Sequence, residues 1–221
     1  MPNPVIVWDL PTRLFHWILV TLIAFQYASG EFGVLSMEWH FRLGYATLAL
    51  IVFRVLWGFA GSRSSRFSSF VRGPAPVARY LLDSLRGRPR SYLGHNPLGG
   101  WSVLLMLACV AVQAISGLFS SDDLTETGPL AARVSDHTVE LMTRIHHLGR
   151  YVLLALIVLH LIAVLMHWAI RRDNLVAPML HGRKQADAAD DLRPVSPWRA
   201  LALAAVSAAA VWTVIVWGGS G

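Results

Sequence analysis

Nine histidines dominate the side chains of this sequence that could do chemistry, and four of them open or interrupt long apolar runs: His16, His40, His146 and His160. An imidazole at membrane depth is costly without a partner, so a histidine there calls for a hydrogen bond or a ligand. His146 and His160 are 14 positions apart. On a helix that spacing keeps them within about 40° of one face and roughly 21 Å apart along the axis. His147 lies 13 positions from His160 and points to the far side. Cys109 is the single cysteine, and neither a CxxC nor a CxxCH motif occurs. An intrachain disulfide and a thioether-linked haem are both excluded.

Arg54 follows His40 by 14 positions and shares its face in an otherwise apolar run. A buried guanidinium needs an anion, and no Asp or Glu lies between Glu38 and Asp83. A haem propionate would supply one. Gly44 and Gly149, just past His40 and His146, would let a flat macrocycle approach the backbone. His167, seven positions past His160, shares its face; there it would hydrogen-bond a quinone head group, relay a proton or cap the helix. His95, His137 and His181 fall in polar connections and are expected to be solvated.

The elements that carry these residues follow from hydropathy. The chain has 221 residues, 55% hydrophobic and 14% charged, too apolar for an ordinary soluble domain. Five runs, at 14–30, 40–60, 101–120, 145–170 and 198–217, are long enough to cross a hydrocarbon layer of roughly 30 Å as helices. Strands would leave backbone groups unpaired in lipid, and barrel alternation is absent. The first run has no small-residue cleavage site and reads as a retained span. Tryptophans near the span ends, Trp8, Trp17, Trp39, Trp101, Trp168, Trp198 and Trp217, read as an interfacial belt. No internal repeat is apparent.

Charge sets the orientation. The net charge of +6 would suggest nucleic acid in a soluble protein, but the arginines cluster between apolar runs, as in cytoplasmic loops. Arg63, Arg66, Arg72, Arg79, Arg86, Arg88 and Arg90 follow the second span; Arg171, Arg172, Arg183 and Lys184 follow the fourth. Asp122, Asp123, Glu126, Asp136 and Glu140, against Arg133 and Arg144, lie between the third and fourth, and Glu31 and Glu38 in the first loop. The N-terminus is then cytoplasmic and the C-terminus periplasmic. His16 and His160 fall near the inner surface and His40 and His146 near the outer one. Each level pair joins two helices, the arrangement needed to clamp an iron porphyrin from both sides. The separation of the two levels forbids convergence on one zinc or non-haem iron.

Several segments resemble the prokaryotic cytochrome b561 family, whose superfamily includes the cytochrome b subunits of nickel-iron hydrogenases. They are VWDLPTRLFHW around His16, WHFRLGYATLALIVFRVLWGF with His40 and Arg54, NPLGGW, and RIHHLGRYVLLALIVLHLIAVLMHW leading to RRDNLVAPMLHGRK. The resemblance covers roughly residues 4 to 184. It implies an all-α, transmembrane four-helix di-haem bundle in the bacterial inner membrane, exchanging electrons with ubiquinone or menaquinone. His16 and His160 would ligate the inner haem b and His40 and His146 the outer one, both non-covalently. A fifth, C-terminal transmembrane helix departs from the pattern. Residues 1–184 form the di-haem membrane domain, 185–197 a cytoplasmic linker and 198–221 the last helix.

A bis-imidazole iron has no vacant position, which leaves outer-sphere electron transfer. The expected function is transfer between the quinone pool and a periplasmic redox protein, a c-type cytochrome or a dehydrogenase, with a basic cytochrome suiting the acidic loop. Two alternatives are a superoxide oxidase reducing quinone, which an acidic surface disfavours, and the anchor subunit of a periplasmic hydrogenase or other dehydrogenase. A haem-free structural or transport bundle is a third. Nucleic acid is not an expected partner.

Overall fold

The computed structural model describes residues 3–88, 92–121, 126–186 and 195–220. Eight helices and one two-stranded ladder follow in the order β1 (Asn3–Ile6), α1 (Leu10–Phe32), α2 (Met37–Ala60), α3 (Phe67–Phe70), α4 (Pro74–Leu85), α5 (Pro97–Gly117), α6 (Asp136–Arg171), α7 (Val176–His181), β2 (Arg183–Ala186) and α8 (Pro197–Gly219). Capping explains why several helices begin before their apolar runs. Asp9 accepts the Thr12 amide at the start of α1, Asn96 accepts Gly99 at 2.7 Å before α5, and Ser135 caps α6. Hydropathy marks only the lipid-immersed part of each helix, so α5 starts at Pro97 rather than 101 and α6 runs to 36 residues.

Among the described residues four helices, α2, α5, α6 and α8, are long and apolar enough to cross a membrane. The expected first span forms helix α1 but is not among these four; His16, Gln26 and Glu31 dilute its hydropathy. The bundle wears its apolar side chains outward: Leu159, Leu165 and Ile170 on α6 are 60%, 56% and 71% exposed. An apolar surface this continuous is matched to lipid. Inside, Phe15, Ile51, Phe53, Trp57, Leu107, Val110 and Leu153 pack together from α1, α2, α5 and α6.

Helix α1 packs on α2 and α5 on α6 as two hairpins that meet along α2 and α5; α8 lies against the outside of α2. The α8 ends are tied by Arg199 to the Ala60 carbonyl and by Arg133 to the Trp217 carbonyl. The ends of the bundle are called here the basic end, carrying β1, α3, α4, α7 and β2, and the acidic end, carrying Glu31, Glu38 and Glu140.

The basic end holds structure that hydropathy missed. Strand β1 pairs antiparallel with β2, Asn3 opposite Ala186 and Ile6 opposite Arg183. The proposed linker therefore begins as strand at Gln185, and its stretch 187–194 lies outside the described residues, as do Arg90, Asp122 and Asp123. Gly182 makes the turn into β2 at φ 85°, where a Cβ would meet the Trp8 carbonyl at 2.8 Å.

Candidate functional site

Between the hairpins lies a cavity of about 2250 Å³, lined mainly by apolar side chains of α1, α2, α5 and α6. Ordinary small-molecule pockets run to roughly 1,000 Å³, so this one has room for two macrocycles. All four histidines singled out in the spans line it, as do His95, His147 and His167. No residue of α8 among those described does, so the extra helix is outside the site.

At the acidic end His40 from α2 and His146 from α6 face each other, ring centroids 6.1 Å apart and planes at 78°. Two metal–imidazole bonds of about 2 Å each, with half a ring on either side, give about 6 Å. The spacing fits one metal held between the two rings. His147 is exposed, also lines the cavity, lies at a centroid distance of 6.5 Å from His146 and makes no such facing pair.

Each facing ring rests on a glycine of the neighbouring helix. A Cβ on Gly30 of α1 would come within 3.3 Å of His40 Cε1, and one on Gly117 of α5 within 3.1 Å of His146 Cε1. Ser29 Oγ lies 2.9 Å from His40 Nδ1. His146 Nδ1 lies 2.9 Å from the Gln113 carbonyl and 3.3 Å from Ser116 Oγ. Sequence reasoning missed these supports and placed Gly44 and Gly149 against the macrocycle instead. In the structure both glycines face glutamine amides: Gln26 Oε1 would be 3.6 Å from a Cβ on Gly44, and Gln113 Oε1 2.3 Å from one on Gly149.

At the basic end His16 from α1 and His160 from α6 line the same cavity. His16 Nδ1 is buried without a hydrogen-bond partner. Among the described residues no group of three or more His, Cys, Asp or Glu could hold a bare metal ion. Two histidines per level is the donor set of a metal that brings its own equatorial ligands.

Arg54 is 2% exposed, lies over the rings of Phe67 at 5.1 Å and Phe15 at 5.9 Å, and has Nη1 without a partner. It stands behind the cavity wall rather than in its lining. The search for its counter-ion between Glu38 and Asp83 overlooked Asp9, the carboxylate that acts on it from the start of α1 without forming a direct ion pair. Asp9 is itself engaged by the Trp57 indole at 3.1 Å and Ser65 at 3.2 Å. One buried guanidinium nitrogen is thus left for a further anion.

His95 overturns the expectation of a solvated residue. Its connection is folded back beneath the cavity by α3 and α4, and its ring sits 4.7 Å from Trp8 and 4.6 Å from Phe70. Burial first, then the charges of Arg54 and His160, lower its pKa to about 3. Trp8, 8% exposed, belongs to this packing and not to the interfacial belt. Its belt companions Trp39, Trp168 and Trp198 are exposed as expected.

His167 lies half-exposed at the cavity edge. Its Nδ1 is 2.8 Å from the Ala163 carbonyl, which only accepts, and its Nε2 is 3.1 Å from Arg171, which only donates. These contacts make Nδ1 the donor and Nε2 the acceptor. Arg171 also donates to Tyr80 at 2.7 Å and Ser84 at 3.1 Å, which ties α6 to α4.

A family model described as prokaryotic cytochrome b561 matches residues 7–182. The probable Ni/Fe-hydrogenase B-type cytochrome subunit of Rhizobium leguminosarum bv. viciae is 24% identical, covering 81% of this chain and 88% of its own length. A protein of the same description from Azotobacter chroococcum mcd 1 is 24% identical over 80% of this chain and 87% of its own. The probable Ni/Fe-hydrogenase 1 B-type cytochrome subunit of Escherichia coli (strain K12) is 26% identical over 42% of this chain and 49% of its own. No solved structure gives a significant match.

Proposed function

The chain belongs to the prokaryotic cytochrome b561 family, a family of membrane b-type cytochromes, and from that premise we propose that it is a five-span di-haem cytochrome passing electrons between a membrane quinone and a redox protein at its acidic end. The observation that carries the proposal is the 6.1 Å spacing of the His40 and His146 rings. His40 and His146 would hold one haem b, and His16 and His160 the other. A bis-histidine haem supplies one-electron transfer without an open coordination site.

The first span rests on parity. The β1–β2 ladder joins the start of the chain to the segment after α6 on one side. An even number of crossings must separate them, and α2, α5 and α6 are three. Helix α1, with 23 residues spanning about 34 Å, supplies the fourth. Helix α8 then carries the C-terminus to the acidic side. The arginine-rich loops make the basic end cytoplasmic in a bacterial inner membrane and the acidic end periplasmic.

Arg54, behind the cavity wall with Nη1 lacking a hydrogen-bond partner, would act on the basic-end haem and its propionates through its buried positive charge. His167, with Nε2 turned toward Arg171 at the cavity edge, is the residue proposed to meet the quinone head group. The relatives named as hydrogenase B-type cytochrome subunits favour a dehydrogenase as the acidic-end partner. A c-type cytochrome is less well supported, because Glu31 pairs with Arg150 at 2.8 Å, Glu140 with Arg144 at 2.9 Å, and Glu38 with Arg42. Arg42 and Arg150 lie inside helices and were left out of the loop charge balance, which counted Arg144.

Anaerobic mixing of the purified protein with a short-chain quinol tests the reading. The b-type absorbance should become reduced, and His167→Leu should slow that reduction about tenfold with haem content unchanged. Absorbance that responds to no quinol or quinone would contradict the proposal.

A further inference from the structure

The supports of His40 and His146 share a sequence. Residues 26–30 read Gln-Tyr-Ala-Ser-Gly and residues 113–117 read Gln-Ala-Ile-Ser-Gly, each at the acidic end of the first helix of a hairpin. The same three roles recur in space. The glycine takes the face of the histidine contributed by the second helix, and the serine lies at its Nδ1. The glutamine amide reaches the glycine one turn past that histidine, Gly44 or Gly149. Beyond these motifs the correspondence breaks at the basic end. Val103 stands at the position of His16, and Arg54 at that of His160.

From this duplicated Gln-x-x-Ser-Gly motif we infer that Ser29 and Gln113, with Gln26 and Ser116 behind them, are positioning residues. They hold His40 and His146 as Nδ1–H donors, turn both Nε2 atoms toward one iron, and lower that iron's reduction potential. The proton positions follow from the partners. The Gln113 carbonyl can only accept, so His146 Nδ1 carries the hydrogen. Ser29 Oγ donates to the Gln26 carbonyl at 3.0 Å, so it accepts from His40 Nδ1. Ser116 likewise donates to the Gln113 carbonyl, at 3.1 Å. A histidine that gives its second N–H to an acceptor is a more basic ligand and favours the oxidised metal. His16, whose buried Nδ1 has no partner, lacks this support. The basic-end level therefore differs electronically from the acidic-end one although both are bis-histidine.

This inference rests on the di-haem reading and is tested on the full-length haem-loaded protein by spectroelectrochemical titration of Ser29→Ala and Ser29→Thr. In Ser29→Ala the midpoint of one haem should rise while the other stays in place. The haem that moves should be the one still present in His16→Ala. Ser29→Thr, which keeps the hydroxyl, should restore the original midpoint. Unmoved midpoints, a fall, or equal shifts of both haems would overturn the positioning role while leaving the di-haem reading intact; wild-type protein without haem would overturn that reading instead. Should Ser29→Ala lose haem, Ser116→Ala takes its place: it removes the hydroxyl 3.3 Å from His146 Nδ1 while keeping the Gln113 carbonyl, and the same haem's midpoint should rise; an unmoved or lowered midpoint would overturn the positioning role.

Discussion

A histidine pair 6.1 Å apart, each ring lying on a glycine, leaves little freedom for substitution. Replacing His40 or His146 by Ala should remove one of the two haems, and replacing His16 or His160 the other, each halving the haem-to-protein ratio. His147→Ala should remove neither; loss of haem there with retention in His146→Ala would show that the helical phase is wrong. Gly117→Leu would drive a side chain into the His146 ring, where even a Cβ comes within 3.1 Å of Cε1. The acidic-end haem should be lost and the basic-end haem kept, as read by haem quantification. Arg54→Leu removes a buried positive charge. For a charge about 10 Å from the iron and an effective dielectric of about 20, the basic-end midpoint should fall by about 70 mV. A rise or no change would remove Arg54 from the electrostatics of that haem.

What could be read at the level of elements was whatever one helix determines alone. The 14-residue phase selects His146 over His147 because both sit on α6 and only periodicity is needed. Apolar runs likewise locate the spans. The partners of Ser29, Gly117 and Asp9 lie on other elements, so nothing in their own neighbourhood announces them. The repeat was hidden for a related reason: only three residues recur within a five-residue window, and their meaning appears once the following helices fold back on them. The β1–β2 ladder was invisible because four-residue strands carry too little pattern. That ladder makes a test possible. Single cysteines placed at Pro4 and at Gln185, both exposed, in a chain with Cys109→Ala, should be labelled from the same side of sealed vesicles. Labelling from opposite sides would exclude α1 as a crossing.

For the molecule as a whole, one cavity connects the two levels, and its walls come mainly from four helices. Helix α8 contributes to the packing around α2 but not to those walls. A chain ending before Pro197 should therefore retain both haems, with lower thermal stability as its main defect; loss of either haem would place α8 in the site. The central claim is that two pairs of histidines hold two haems b in this cavity. Its most direct test is the pyridine haemochrome of the purified full-length protein, expressed with sufficient haem and referred to protein mass. The expected result is two extractable protohaems per chain. One haem, none, or a different metal at either level would contradict it.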